Sequence, residues 1–441
     1  MKFINTLKDI FKIEELKNKI LLTIGLIAVY RFMAAVPLPG IDPLQLSALK
    51  ESTSGGLLGL LNAFTGGAFA RASVMALGIM PYISASIVVQ LMGIAVPYLQ
   101  KLQKDGESGR KKITQITRWL TIGITLVQAP TYITAIKTQF NLPPEAFLVS
   151  GITFWISSII ILTAGTIFAM WLGERITDKG IGNGISLLIT VGIIANFPAA
   201  FLQEFLSKTE NAGAGGLMMV LIEIIVWFVV ILLTVLLVTA VRKIAVQYAR
   251  RTVAGSTQNV AGSRDYIPLK LNAAGVMPII FAQAIMFLPL ALGQKFPILV
   301  GLTDPNGWQY NVIFAILIII FSYFYTAITI PTNKMAEDLK RSGGFIPGIR
   351  PGKDTADRLD SVLSRITFPG SLFLAGLSIL PAIVVQFGVQ QGWSMFYGGT
   401  SLIIMVGVAI DTIQQINSYL LNNHYDGLMK PGNSNRKSNK Q

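Results

Sequence analysis

The residue types that carry most enzyme chemistry are almost absent from this sequence. Its 441 residues include no cysteine and a single histidine, His424. Thiolate metal sites, thiol nucleophiles and disulfides are therefore excluded, and histidine-based catalysis is not expected. The pair Gly352-Lys353 follows Pro351 and precedes Asp354, so it does not complete a phosphate-binding loop. We expect a protein that is not an enzyme by itself, needs no cofactor and takes its energy from outside the chain.

Ionisable residues within the long apolar stretches are also scarce. Only Arg31, Glu223 and Asp411 lie inside such stretches. A secondary solute transporter, which is the alternative function, usually needs charged groups at the middle of the membrane. An intramembrane protease would need paired aspartates, a Ser/His pair or a metal site. The charge pattern therefore disfavours both classes.

Composition places most of the chain in a membrane. Hydrophobic residues make up 52% and charged residues only 13%, whereas soluble domains are roughly a quarter charged. A helix needs about 20 apolar residues to cross the hydrocarbon core. Ten segments meet this requirement: 20–36, 72–96, 119–136, 152–173, 181–202, 217–240, 273–293, 309–330, 367–388 and 399–421.

The distribution of positive charge gives these spans an orientation. Thirty of the 36 Lys and Arg residues lie in the N-terminal segment, the C-terminal segment and every second connection. The opposite connections hold five: Lys50, Arg71, Lys137, Lys208 and Lys295. Because basic loops stay in the cytoplasm, both termini are predicted to be cytoplasmic. Residues 1–19 are basic with apolar residues at helical spacing, which predicts a helix on the membrane surface.

The connection 37–71 is too long and too apolar for a simple loop. It contains an apolar stretch at about 55–70 that ends in Gly66-Gly67. We interpret it as a re-entrant helix, because irregular backbone at membrane depth is tolerated where protein or a pore surrounds it. A helix lying on the outer surface is the alternative.

Two cytoplasmic connections, 241–272 and 331–366, are long and basic. They predict a docking platform for a large partner, either acidic protein or RNA. The simpler alternative is that these basic residues only fix the orientation of the spans in the membrane, but that role needs shorter connections. Glycines in 180–184 follow no strand, so we expect a tight start to a membrane helix there and no nucleotide loop.

The ten spans divide evenly into two halves, 1–216 and 217–441. Five spans in each half would make any duplication inverted, with a pseudo-two-fold axis in the membrane plane. The predicted fold class is an all-α polytopic membrane protein with two five-helix inverted halves around a central pore.

Several sequence motifs recur in a recognisable order along the chain. The first is Gly66-Gly67-Ala68-Phe69-Ala70-Arg71-Ala72-Ser73, which continues through 76–87. Others lie at 106–110, 173–186, 268–272, 345–352 and 399–401. Together they resemble, over most of the chain, the SecY family, the central subunits of the bacterial Sec protein-conducting channel. One segment, 255–266, differs from the sequence usual in the family before Pro268-Leu269-Lys270. This segment is the tip of the connection 241–272, and the family's partner contacts at this tip are not carried over to it.

The resemblance implies a two-half clamshell with a plug, a pore ring and a lateral gate. The plug would comprise Leu57, Leu58, Leu60, Leu61, Phe64, Gly66 and Gly67. The aliphatic ring at the pore waist would comprise Ile79, Ile83, Ile185 or Ile189, Ile280 and Ile404. Such a ring offers water and ions no replacement for lost hydration. Flexible points of the lateral gate would be Gly78, Pro81, Gly275 and Pro278.

The resemblance also implies partners and a location. Arg242, Arg250, Arg251 and Arg350 would dock a SecA-type motor ATPase or the ribosome, because guanidinium groups pair with carboxylate or phosphate. SecE- and SecG-like small membrane subunits, signal-bearing preproteins and membrane lipid are further expected partners, and DNA is not. The expected function is passage of unfolded polypeptide across the bacterial inner membrane, with lateral release of apolar segments into lipid.

Overall fold

The structure is a computed structural model in which long α-helices account for most of the chain. It describes residues 13–46, 62–138, 146–149, 151–211, 216–248, 264–292 and 307–429. Mean hydropathy and length qualify eight of the described helices as membrane spans, or nine if one sharply bent pair is a single span. The mostly α-helical polytopic architecture predicted from the sequence is confirmed.

The helices and strands, numbered in chain order, are α1 Glu14–Ala35, α2 Met80–Ala95, α3 Pro97–Lys104, α4 Gly106–Thr138, α5 Ile152–Lys179, α6 Gly184–Asn211, α7 Gly216–Thr239, β1 Val241–Tyr248, β2 Arg264–Lys270, α8 Met277–Leu292, α9 Trp308–Thr329, α10 Thr332–Arg341, β3 Gly344–Phe345, α11 Lys353–Gln386, α12 Gln391–Ser394 and α13 Gly399–Met429. A single 3₁₀ turn, Pro43–Gln45, lies between α1 and α2 in the described part of that connection.

Each of the ten predicted spans overlaps one of these helices, but the helices of the second and seventh spans are shorter than predicted. The second was expected over 72–96, and this start is wrong because residues 72–79 form turns before α2 begins at Met80. A 101° bend then separates α2 from α3, where Pro97 begins the second helix. The described part of the seventh, α8, has 16 residues, which is shorter than a span requires. Its proposed completion at residue 293 lies outside the described residues.

The first span also begins earlier than predicted. Glu14 to Ala35 form one continuous helix, so residues 14–19 extend the span and do not belong to a separate surface helix. The rest of that predicted helix, residues 1–12, lies outside the described residues. Large apolar side chains on α7 are exposed, for example Leu217 at 61% and Phe228 at 64%. This exposure is typical of a lipid-facing helix, since water-soluble surfaces rarely carry such a density of apolar groups.

The described helices fall into two compact units. The first comprises the described residues within 13–46, 62–196 and 408–429. Its core joins α1, α5 and α6 to the turns before α2, through the buried side chains of Tyr30, Ala34, Ala68, Met75, Ile79, Ala169, Leu172, Ile176 and Leu188. These units group helices that pack together, and their bounds differ from those of the predicted halves. The predicted division into halves at residue 216 therefore stays a prediction.

The second unit comprises the described residues within 197–407, and it contains a small sheet that the sequence analysis did not anticipate. Strand β1 pairs antiparallel with β2 from Val241↔Lys270 to Gln247↔Arg264, and with β3 through Gln247↔Phe345. The strand order is β2-β1-β3. Both long basic connections thus contribute to one folded element, because each supplies at least one strand.

Candidate functional site

The end of the predicted plug segment is folded tightly within the first unit. Residues 62–64 are helical, and residues 63–70 are all buried. The N–H of Gly66 donates to the carbonyl of Ala63 at 3.0 Å, and that of Gly67 to the carbonyl of Asn62 at 2.8 Å. Both glycines have positive φ, +66° and +84°, a conformation that favours glycine at a helix end. The described end of this segment is inside protein, as the re-entrant interpretation requires. Leu57, Leu58, Leu60 and Leu61 lie outside the described residues.

The predicted gate glycines and prolines lie in two segments that have the same local structure. Gly78-Ile79-Met80-Pro81 leads into α2, and Gly275-Val276-Met277-Pro278 leads into α8. Each glycine has positive φ, +52° and +63°, and its N–H donates to the carbonyl three residues earlier. Each proline stands in the first turn of a 16-residue helix, where its missing N–H is no loss. The sequence thus places a repeated turn before two helices of equal described length, one in each unit.

The isoleucines of the predicted pore ring are distributed over both units. Ile79 is 3% exposed and belongs to the core of the first unit, while Ile83 and Ile185 are half-buried against that core. Ile189 is 6% exposed. In the second unit Ile280 is half-buried and Ile404 is 5% exposed. Ile83 and Ile280 share one position in the repeated sequence, five residues after the glycine.

The basic connections form a rigid platform on the small sheet. Val246 of β1, Ile346 and Leu359 of α11 make a buried core, with Ile349 packed against it. Gly348 and Gly352 have φ of +80° and +113°, which favours glycine at both ends of the turn.

Arg350 lies within that turn, on the surface. Its carbonyl accepts a hydrogen bond from Thr355 Oγ1 at 2.8 Å, while its side chain is exposed. Arg242 is exposed on β1 opposite Leu269. The backbone of Arg350 is therefore held while its guanidinium is available to a partner. Arg250 and Arg251 lie outside the described residues.

The structure reveals a buried ion-pair cluster that sequence reasoning missed. Lys208 Nζ lies 3.7 Å from Glu204 Oε1, 3.4 Å from Glu223 Oε1 and 2.7 Å from the carbonyl oxygen of Gly388. The N–H of Gln390 donates to Glu204 Oε2 at 2.8 Å. The prediction ended the fifth span at residue 202 and left Lys208 in a loop, but α6 continues to Asn211. The i, i+4 spacing of Glu204 and Lys208 was the available signal.

A second ion pair joins two helices of the first unit. Arg118 of α4 binds Glu174 of α5 with both ends of its guanidinium, Nε to Oε1 at 2.9 Å and Nη2 to Oε2 at 2.6 Å. Two parallel hydrogen bonds fix the relative orientation of the two groups. Glu174 belongs to the family-like motif at 173–178, so this pair gives that motif a structural role.

These features together define a class of protein. The chain is a polytopic α-helical membrane protein with a buried helical turn after its first span and a basic platform built from two connections. A family model described as SecY matches residues 73–413. The chain belongs to the SecY family.

Curated relatives agree over almost the full length. A protein translocase subunit SecY from Streptomyces scabiei is 38% identical, covering 95% of this chain and 98% of that protein. One from Bacillus subtilis (strain 168) is 39% identical, covering 96% and 99%.

Solved structures share the fold. A protein-conducting channel matches with a TM-score of 0.61 and 19% identity, covering 94% of each chain. A SecY channel whose plug domain stabilises the closed state and maintains a membrane seal gives 0.63 and 19%, again covering 94% of each. Sec61 in the canine ribosome-channel complex gives 0.55 and 18%, with the same coverage.

Proposed function

We propose that this chain is the pore-forming subunit of a protein-conducting channel that passes unfolded secretory polypeptides and releases membrane segments sideways into lipid. The observation that carries the proposal is the match to protein translocase subunits over 95% of the chain or more. The shared fold of a protein-conducting channel is consistent with it. Motive force would come from a partner.

The pore ring is proposed to comprise Ile79, Ile83, Ile185 or Ile189, Ile280 and Ile404. Aliphatic walls offer neither charge nor hydrogen bonds, so ions in a narrow waist lose hydration without replacement. The same walls do not bind a passing chain of arbitrary sequence. The matching positions of Ile83 and Ile280 in the repeated sequence support their inclusion.

The plug is proposed to be the segment at about 55–70, and the lateral gate to use the two repeated turns. Gly78 and Gly275 have the positive φ of a turn, and Pro81 and Pro278 follow in the first helical turn. The flexible points would therefore lie at the starts of α2 and α8, where no helical hydrogen bond has to break.

The platform is proposed to dock a SecA-type motor ATPase and the ribosome. Arg350 presents an exposed guanidinium on a turn whose backbone is held, and Arg242 adds a second exposed cation. Arg250 and Arg251 are proposed to contribute as well. One relative by fold is a channel in complex with a ribosome. SecE- and SecG-like subunits are proposed companions, and the proposed location is the bacterial inner membrane with both termini cytoplasmic.

The test is transport in sealed vesicles. The chain would be reconstituted with its small partner subunits, and motor ATPase, ATP and a signal-bearing preprotein would be added. ATP-dependent protection of the preprotein from protease is expected. Small-solute uptake driven by an ion gradient, without such protection, would contradict the proposal and favour a transporter.

The pore assignment has its own test. Because the sequence contains no cysteine, single cysteines at Ile83 and Ile280 can be cross-linked to a cysteine in a preprotein halted during transport. Cross-links are expected at both positions. Ile160 on α5, which is 61% exposed, is the matched control and should give none. Cross-linking at Ile160 equal to that at Ile83 would contradict the assignment.

A further inference from the structure

Arg31 is the charged residue within the apolar part of α1, residues 20–35, and it stands four residues before the helix ends at Ala35. A charge inside a membrane span is costly and usually serves a function. Its side chain is half-buried, and Nη1 donates a hydrogen bond to the carbonyl oxygen of Gly66 at 2.9 Å. The first span is thereby bonded to the end of the proposed plug.

The carbonyl that Arg31 binds lies at a helix end. The turn that closes this end is formed by the N–H groups of Gly66 and Gly67, which bond back to Ala63 and Asn62. The described part of this helix is the single turn 62–64, and the carbonyls of Asn62 and Ala63 already accept from these two glycines. The Gly66 carbonyl lies just beyond them, and Arg31 gives it a charge-assisted hydrogen bond from another helix.

The other hydrogen bonds of this turn are made within the segment itself or to α4. Asn62 Oδ1 accepts from the N–H of Ala70 at 3.0 Å, and Thr65 Oγ1 accepts from the N–H of Phe69 at 3.1 Å. These bonds lie within the segment and can persist when it moves. Tyr132 of α4 donates to the carbonyl of Phe69 at 2.8 Å, which anchors the turn on the side nearer α2. The bond from Arg31 lies on the plug side of that anchor.

The turn packs closely against the backbone of α6. A Cβ at Gly192 of α6 would lie 2.9 Å from the carbonyl oxygen of Phe64 and 3.0 Å from the nitrogen of Gly66. The plug end is therefore seated directly on the α6 backbone. A small displacement of this seat would separate Gly66 from Arg31, because hydrogen bonds weaken beyond about 3.2 Å.

We propose that Arg31 is a positioning residue that latches the plug in its closed position by binding the carbonyl of Gly66. The inference rests on the proposed channel function and deepens it. Loss of one charge-assisted hydrogen bond should raise the population of the displaced plug by about 10- to 100-fold.

The test measures how often residue 63 becomes accessible. Ala63 is 7% exposed, so a single cysteine there, Ala63→Cys, reports displacement. The full chain with its small partner subunits would be placed in lipid nanodiscs and labelled with a membrane-impermeant maleimide. Arg31→Gln is expected to raise the labelling rate about 10- to 100-fold, the range for one charged hydrogen bond. Arg31→Lys, which keeps the charge with fewer fixed donors, should give an intermediate rate.

The matched control is Arg71→Gln. The Arg71 guanidinium lies against Gly67, so this variant removes the same charge from the same turn and should leave the rate within about twofold, since the Arg31 bond is kept. A rate unchanged in Arg31→Gln, or raised equally in Arg71→Gln, would overturn the latch.

Two further measurements distinguish loss of the latch from general loosening of the unit and from failure of the proposed function. Ala169→Cys lies in the core of the same unit at 0% exposure and should label equally slowly with and without Arg31→Gln. Faster labelling there would mean general loosening and would also overturn the latch. Adding motor ATPase, ATP and preprotein should accelerate labelling at residue 63 in the otherwise unchanged chain. Failure of that step alone would count against the proposed function.

Discussion

Replacing Lys208 by methionine should loosen the 388–390 connection that precedes α12. The amine of Lys208 is the cation shared by two buried carboxylates, since the side chains of Glu204 and Glu223 are 2% and 10% exposed. It also binds the carbonyl of Gly388 at 2.7 Å. The variant Lys208→Met keeps most of the side-chain volume but leaves both carboxylates without that partner.

The size of the effect follows from burial. Removing one partner of a buried ion pair costs about 3–5 kcal/mol, because an uncompensated charge remains. The Lys208 side chain is itself 13% exposed, so the lower end of the range, about 3 kcal/mol, is appropriate. Each 1.36 kcal/mol is a factor of about ten in an equilibrium constant. Local opening of the connection should therefore become about 100-fold more frequent.

The assay is maleimide labelling of a unique cysteine at Val389, which is 6% exposed and lies between the two residues bound by the cluster. Labelling of Val389→Cys should be about 100-fold faster when combined with Lys208→Met. Adding Glu223→Gln removes one of the two uncompensated charges and should restore more than half of the lost free energy. An equal labelling rate with and without Lys208→Met would refute the reasoning, because the connection would then be held by its other contacts alone.

Three further predictions concern the platform and the helix contacts. Arg350→Glu should reduce partner-driven transport about tenfold or more with the fold intact, whereas Arg341→Glu, at a side chain 79% exposed on α10, should have little effect; equal losses would contradict a specific role. Arg118→Glu and Glu174→Arg should each lower thermal stability, and the double exchange should recover about 1 kcal/mol of coupling; additive losses would show that the ion pair is not coupled. Gly352→Ala should cost about 1–3 kcal/mol from its φ of +113° alone, because a Cβ there meets nothing within 4 Å; unchanged stability in a denaturation scan would contradict backbone strain.

The sequence predicted the spans well because length and hydropathy are local properties. It predicted less well where structure depends on distant segments. The partners of β1 lie far along the chain from it, at 264–270 and 344–345. A strand of two residues such as β3 carries no readable pattern. The basic connections were therefore recognised as a platform, but their shared sheet was not.

The candidate site shows the same division. Hydropathy ended the fifth span where charged residues began, and so it separated Lys208 from Glu223, its partner on the next helix. Arg31 was recognised as unusual, but its partner is a backbone carbonyl 35 residues away, and carbonyls leave no trace in sequence. Side chains that bind backbone atoms are thus the contacts that sequence reasoning loses first.

One local structure occurs at two places in the chain, before α2 and before α8. Gly78 and Gly275 stand three residues before a proline in the first turn of a helix, and the isoleucines at 83 and 280 follow at the same distance. A positive φ at the glycine fixes the direction in which each helix starts. Because the two sequences impose the same local geometry, Ile83 and Ile280 extend from corresponding points of α2 and α8.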